Sequence, residues 1–575
     1  MTFRTLIHRS LRFHWRAHLG VGLGAAIGSA ALIGALVVGD SVRGSLREQA
    51  LDQIGNIHLA LNAGDRLFRS ALAQEIKDDL RDRNSQPVAL ASVLLTSASA
   101  ATGAARVNQV QVLGVAEDFW ELAAAVGLAQ SLPLNTVGLN QALATALNVA
   151  VGDTIILRLA KPTTLNREFA VSQKSEASVA LRLTVHTVVS DAALGNFNLR
   201  ASPFAPFNAF VSLGEIQSRL GVSGQANLIL MGGNRPKEEP YRYASYLQMN
   251  AANGLAENWQ LADAQVMLRP ATNGGYLELR TPRVFLDPPL IQAAQTASAN
   301  SQPALTFLVN LFHVGTNATP YSMVAAAGVP WTPLELRDDE IVVGQWLADD
   351  LKVKRGDEIA LSYFLPESGV RLEEATNTFR VHSIVPMEMP WADRTLMPDF
   401  PGIEKAESTS EWDAGFPLTY EIRKKDDDYW KAYRGTPKAF ITLAAGQKMW
   451  GNRFGNLTAI RFPIPTNVVE ITTALTPALS PGEREKRSQS LAQTRADIST
   501  NSTQVVSSVE TPSPLPGGEG PGEGERQTVR NQTETPHVVS YKTELERKIL
   551  ANLKPEELGL RFEPVREQAL QAAKE

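Results

Sequence analysis

The 575-residue sequence contains no cysteine. That excludes disulfides, Cys-ligated zinc or iron–sulfur centres and thiol nucleophiles, and it fits an oxidising compartment where stray thiols are a liability. A dominant charge is lacking too. Fifty-five Lys and Arg stand against 60 Asp and Glu, a net of −5, which leaves no electrostatic footprint for nucleic acid. No G-x-x-x-x-G-K-[ST], H-E-x-x-H or G-x-S-x-G occurs. The eight histidines (8, 14, 18, 58, 186, 313, 382, 537) are scattered, without metal-ligand spacing outside the basic N-terminus. We therefore expect no catalytic residue, no cofactor-binding residue and no metal ligand. Long hydrophobic runs are scarce: mean hydropathy is slightly negative, so the chain is not made mostly of membrane spans.

One such run is present. Residues 19–39 (LGVGLGAAIGSAALIGALVVG) are 21 uncharged residues, enough at ~1.5 Å per residue to cross a ~30 Å hydrocarbon core. Arg4, Arg9, Arg12 and Arg16 precede it; Asp40, Arg43, Arg47, Glu48 and Asp52 follow. The positive-inside rule puts Met1 in the cytoplasm and the chain after Asp40 outside. A cleaved signal peptide would have a shorter apolar region, ~7–15 residues, so a retained span is the reading adopted. Gly20, Gly24 and Gly28 repeat at a spacing of four, which lines one helix face with small residues and lets a second helix approach. Residues 1–18 place Phe3, Leu6, Ile7, Leu11 and Trp15 among basic residues. That suits a cytoplasmic amphipathic helix at the membrane surface, although an extended basic flank fits the pattern as well.

Beyond the span, residues 40–89 read as a membrane-proximal helix ending at Gly55–Asn56, followed by the start of an outer domain. The most informative feature is a repeat. Val137–Leu157 (VGLNQALATALNVAVGDTIIL) falls on Ile341–Leu361 (IVVGQWLADDLKVKRGDEIAL), with Gln141/Gln345, Leu147/Leu351, Gly152/Gly356, Asp153/Asp357 and Leu157/Leu361 among the identities. Downstream, LTVHTVV at 183–189 echoes FRVHSIV at 379–385, and NAFVSL at 208–213 echoes KAFITL at 438–443. Same-order matches of this kind indicate two α+β modules, residues 90–235 and 300–465, joined by a connector at 236–299. The pairs Gly152–Asp153 and Gly356–Asp357 are read as structural turns, because Gly supplies positive φ and Asp bonds its own backbone. His186 and His382, at equivalent strand positions, are read as structural as well.

Residues 388–435, the second copy's main insertion, mix Trp391, Phe400, Trp412, Phe416, Tyr429, Trp430 and Tyr433 with many charges. Both a partner-contact surface and a self-packed loop fit that composition. Residues 475–536 are dense in Pro, Gly, Glu and Ser, a composition expected to be disordered. Their flanks resemble the translated ends of a bacterial intergenic repeat element. Residues 537–575 then read as a helical C-terminal segment, with no second hydrophobic span.

A basic amphipathic start, one Gly-rich span, GDSVRGSL at 39–46 and a large outer α+β domain together resemble FtsX-like ABC-transporter permeases with a MacB-type periplasmic core domain. The likeness is strongest over Leu11–Gly44 and extends over residues 1–465 and 537–575. It implies a permease subunit in the bacterial inner membrane, driven by a separate cytoplasmic ABC ATPase. That ATPase would bind the ATP, since this chain carries no cofactor site of its own. It also implies a permease dimer partner or separately encoded spans, because such permeases have three or more further spans after the outer domain. A truncated or split permease is the expectation; the rival is a single-span periplasmic adaptor or binding protein. A membrane-tethered hydrolase lacks any motif. If the glycine face is a packing face, Gly24→Leu weakens helix association in a membrane two-hybrid assay; unchanged association removes that role.

Overall fold

Strand order along the chain repeats itself. The computed structural model describes residues 3–82, 88–103, 105–123, 131–161, 178–200, 202, 204–233, 240–271, 275–366, 372–400, 402–465 and 536–572. In its first half the strands are β1 (Ile57–Asn62), β2 (Phe68–Arg69), β3 (Ala89–Ala101), β4 (Arg106–Val115), β5 (Thr136–Asn140), β6 (Thr154–Ala160), β7 (Ser178–Val189), β8 (Asn208–Ser212), β9 (Gln225–Ala226) and β10 (Leu228–Gly232). In the second they are β11 (Met267–Pro270), β12 (Tyr276–Arg280), β13 (Gln302–Val314), β14 (Asn317–Ala327), β15 (Glu340–Gly344), β16 (Glu358–Phe364), β17 (Glu374–Val385), β18 (Ala439–Ile441) and β19 (Ala459–Pro463), with β20 (Phe562–Glu563) near the end.

The two large sheets run β20-β1-β10-β3-β4-β8-β5-β7-β6 and β11-β12-β19-β13-β14-β18-β15-β17-β16. Position for position they are the same sheet. The first also takes in β1 from the 40–89 stretch and β20 from the C-terminal segment; the second takes in β11 and β12 from the 236–299 connector. In each, one long strand (β3, β13) also pairs with the far edge (β6, β16), closing six strands into a ring. The alternating sequences of β6 and β7 turn Ile155, Leu157, Leu159, Leu181, Leu183 and Val185 into one core and leave the intervening residues outside. The second ring is filled the same way by Ile341, Val343, Ile359, Leu361, Phe379 and Val381. Helices lie alongside, so the body is α+β.

The register matches down to its irregularity. β5 pairs β7 with Val137 opposite Val185 and Gly138 opposite Thr187; β15 pairs β17 with Ile341 opposite Val381 and Val342 opposite Ser383. His186 and His382 are the residues skipped, so both histidines sit at the same β-bulge.

Ahead of the body, α1 (Phe3–Phe13) and α2 (Trp15–Ile54) meet at His14. α2 has 40 residues, about 60 Å at ~1.5 Å per residue, roughly twice the hydrocarbon core. The apolar run and the helix that follows it are thus one rod. Residues 3–48 are exposed throughout, which for an apolar surface of this size means that lipid or another helix covers it.

Ion pairs tie the 40–89 stretch to the 236–299 connector. Arg69 donates to both Glu75 carboxylate oxygens (2.7 and 2.9 Å) and to Asp263 Oδ1 and Oδ2 (3.0 and 2.9 Å), while Arg66 reaches Ala264 O at 3.0 Å and Asp287 Oδ2 at 2.9 Å. Residues 463–545 stand as a separate unit, of which only 463–465 and the helical residues 536–545 are described. The low-complexity stretch of 475–536 lies outside the described residues up to 535.

Candidate functional site: the joint between the long helix and the body

The outer end of α2 is held from three sides. Ala50, Gln53 and Ile54 are buried, and Gln53 Nε2 donates to Ser202 O at 3.0 Å. The helix stops at Gly55, whose φ of +53 an L side chain rarely adopts. A Cβ there would also lie 2.8 Å from Leu194 Cδ2 and 3.1 Å from Leu122 O. Asn56 then binds the same loops, through N to Leu122 O (3.1 Å) and Nδ2 to Ala123 O (3.0 Å). Backbone approach continues across the sheet: a Cβ on Gly232 would lie 2.3 Å from Asn56 O.

The third side comes from the far end of the chain. β20 pairs antiparallel with β1, with Phe562 opposite Leu61 and Glu563 opposite Ala60. The helix Val565–Ala572 follows; Ala569 packs with Ala50 and Ile54, and Val565 enters the core with Ile57 and Ala60. Arg566 Nη1 donates to Gly55 O at 2.7 Å. The second sheet needs no such help, because the hairpin β11–β12 fills the matching edge.

Along α2, Gly20, Gly24 and Gly28 fall on one face, and a Cβ on any of them meets no atom of the described residues within 4 Å. Gly152 and Gly356 take φ of +97 and +93 in matching turns. Their N–H groups donate to Val185 O and Val381 O, each at 2.8 Å. Asp153 Oδ2 accepts from Ala150 N (2.8 Å) and Asp357 Oδ2 from Lys354 N (2.7 Å). The aspartates bond the backbone of their own turn, and the glycine N–H groups tie each turn to β7 or β17.

Sequence reasoning singled out the 388–435 insertion and left it two readings, but missed the ion network that anchors it. The insertion's aromatic residues mostly face inward: Phe400, Phe416 and Trp430 are in the second module's core, and Trp430 Nε1 donates to Ala406 O at 2.9 Å. A buried ion network fixes its first part to the sheet. Arg461, fully buried on β19, bonds Glu278 Oε2 and Asp393 Oδ2 (both 2.7 Å) and Thr395 Oγ1 (2.6 Å), with Arg280 also on Glu278. Burial alone would raise the Asp393 carboxyl; the Arg461 guanidinium overrides it and holds the group below the usual carboxylate range. The signal for this network was a charge inside apolar strand text, LEL at 277–279 and IRF at 460–462.

Lys438 was missed as well. It occupies the repeat position of Asn208, which in the first module donates to Gly195 O (3.0 Å) and Phe197 O (2.8 Å). Lys438 is buried, with Nζ 4.2 Å from the Trp346 ring centroid and 4.5 Å from that of Tyr429. Burial pushes its ammonium down from 10.5 to about 7.

Residues 22–235 match the family model of the MacB-like periplasmic core domain. They form a MacB-like periplasmic core domain. A periplasmic core domain that follows one helix long and apolar enough to cross a membrane makes the chain membrane-anchored with its bulk outside the cytoplasm. The matched segment runs from within α2 through β10, so it contains the joint but not the C-terminal return. Among curated proteins, none matches the chain. The crystal structure of the periplasmic region of MacB from Actinobacillus actinomycetemcomitans aligns over 36% of this chain and 88% of its own, at 12% identity and a TM-score of 0.23. A score that low carries no argument.

Lys438 yields a test of the core of the second module. The unfolded chain keeps the ordinary lysine value, so between pH 7 and about 10 it binds more protons than the folded protein. Stability at this position therefore rises with pH across that window. Wild-type protein is expected to gain unfolding free energy relative to Lys438→Met between pH 7 and 10 in denaturant titrations. Parallel profiles would contradict the burial of a titrating amine.

Proposed function

We propose that the chain is the membrane-anchored part of an ABC-transporter permease that couples a separate cytoplasmic ATPase to export, or to a mechanical event at the periplasmic face. The observation that carries this reading is the continuous helix α2. It runs from the apolar segment into the body without a break and ends in a joint clamped by Leu194, Ser202 and Arg566. A rod fixed at one end to a packed sheet transmits a rigid-body shift in the bilayer to that sheet. The N-terminus lies in the cytoplasm of a bacterial inner membrane, and α1 rests on the inner leaflet. Gly20, Gly24 and Gly28 face a second helix, from a dimer partner or from separately encoded spans. ATP binds to the partner ATPase and not to this chain, which is not itself an enzyme.

The body's two ends support this reading, since β1 and the helix Val565–Ala572 both meet α2 at the same place. Affinity purification of the full chain from native membranes tests it. The expected result is co-purification of a polypeptide bearing a Walker-type nucleotide site, together with one or more polytopic membrane proteins or a second copy. Recovery with extracytoplasmic proteins alone would assign the chain to the adaptor class instead.

A further inference from the structure

The end of the rod remote from the joint carries α1, and none of its residues is buried. At ~3.6 residues per turn Phe3, Leu6, Ile7, Leu11 and Phe13 come round to one face, with Ser10 near its centre. Phe3 and Phe13 are 79% and 82% exposed. Arg4, His8 and Arg12 repeat at a spacing of four along the other face, and Arg9 lies beside them. The helix breaks at His14, whose φ of −99 and ψ of 19 leave α-helical geometry before α2 begins at Trp15.

Continuity with the span sets the depth of α1. Residues 14–18 separate it from the uncharged run at 19–39, and five residues at ~1.5 Å each cover ~7.5 Å. The polar layer on each side of the hydrocarbon core is ~5–8 Å thick, so α1 falls at headgroup level. Phe13 and Trp15 flank the break there, and aromatic rings are favoured at that depth. Charge at this level is of one sign. Residues 1–39 hold Arg4, Arg9, Arg12 and Arg16 and no Asp or Glu. The first carboxylate in the sequence is Asp40, across the apolar run, although the whole chain has a net charge of −5. No acidic side chain of residues 1–39 is there to neutralise the arginines.

We propose that α1 binds anionic phospholipids, its apolar face entering the acyl boundary while Arg4, Arg9 and Arg12 engage lipid phosphates. The proposal rests on the reading above of α1 as a surface helix and names the lipid class that holds it there. A guanidinium meets a phosphate through two parallel N–H donors. A zwitterionic headgroup brings its own cation to that phosphate, whereas an anionic one leaves the charge open to arginine. Lipid is favoured over a protein partner because only five residues join the apolar face to the span, so both meet the same bilayer. The rod is then held at both ends, by the joint outside and by lipid at α1.

The chain has no native cysteine, so Ser10→Cys carries a single spin label near the centre of the apolar face. Immersion of the label is read from its collision rates with oxygen and with nickel(II)-EDDA. The full chain is compared in nanodiscs of phosphatidylcholine and of an equimolar mixture with phosphatidylglycerol. The oxygen-to-nickel ratio is expected to rise about threefold with phosphatidylglycerol, and the rise to shrink in high salt. Combining Arg4→Gln, Arg9→Gln and Arg12→Gln removes the rise. Combining Arg4→Lys, Arg9→Lys and Arg12→Lys, which keeps the charge, retains it. A rise that survives the glutamine substitutions overturns the proposal. An equally high ratio in both lipids also overturns it, and leaves α1 a surface helix held by its apolar face. A ratio low in both lipids puts α1 off the membrane, and a label shielded from both reagents means that a protein covers the face; either result overturns the proposal and the surface reading together.

Discussion

Everything outside the membrane hangs from the turn at Gly55. A 40-residue rod can move a domain only if the end of the rod cannot swivel, and here swivelling is opposed by close backbone approach at Gly55 together with side-chain bonds from Gln53, Asn56 and Arg566. Leu122 O, Asn56 O and Gly55 O all take part, and the glycines at 55 and 232 are there because the backbones come too close for a Cβ. The outermost support, β20 with its helix, is supplied by chain more than five hundred residues further along the sequence. The joint therefore forms only when the two ends of the body are brought together.

Duplication explains most of the body, and the departures from it are where the modules do different things. Each ring closes in the same order, with the same bulge at His186 or His382 and the same Gly–Asp turn. At one loop-bearing end, the first module places short loops that grip α2. The second places the 388–435 insertion there, held by the Arg461 network. Where the first module uses Asn140 and Asn208 to bond loop carbonyls, the second has Gly344 and Lys438. The Gly344 Cβ position lies 3.1 Å from Lys438 O, so the asparagine of the first copy would be crowded in the second. Breaking the buried Arg461 pairs by removing one partner would leave a charge stranded, a loss of ~3–5 kcal/mol in comparable cases.

The features legible in the sequence are those written locally. The span, the alternating strands, the Gly–Asp turns and the repeat each depend on residues within a few positions of one another, and so the α+β class and the MacB-like resemblance could be read from text. The pairing of Phe562 with Leu61 has no local signature, because a two-residue strand carries no period. The same holds for Arg461 with Glu278 and for Gln53 with Ser202. Lys438 could have been flagged, since the repeat sets it against Asn208; its burial between Trp346 and Tyr429 required the fold. The aromatic insertion had two readings from composition, and the structure places Phe400, Phe416 and Trp430 within the second module's core.

The central claim is that α2 and the first module behave as one rigid element. The absence of native cysteine makes spin labelling specific to introduced sites. Labels at Arg47→Cys on the helix and Val151→Cys on the exposed turn of the first module, measured by double electron–electron resonance in nanodiscs, test the claim directly. The account predicts a single narrow distance distribution that broadens when Arg566→Ala is added. A broad or multi-peaked distribution in the otherwise native chain would contradict it.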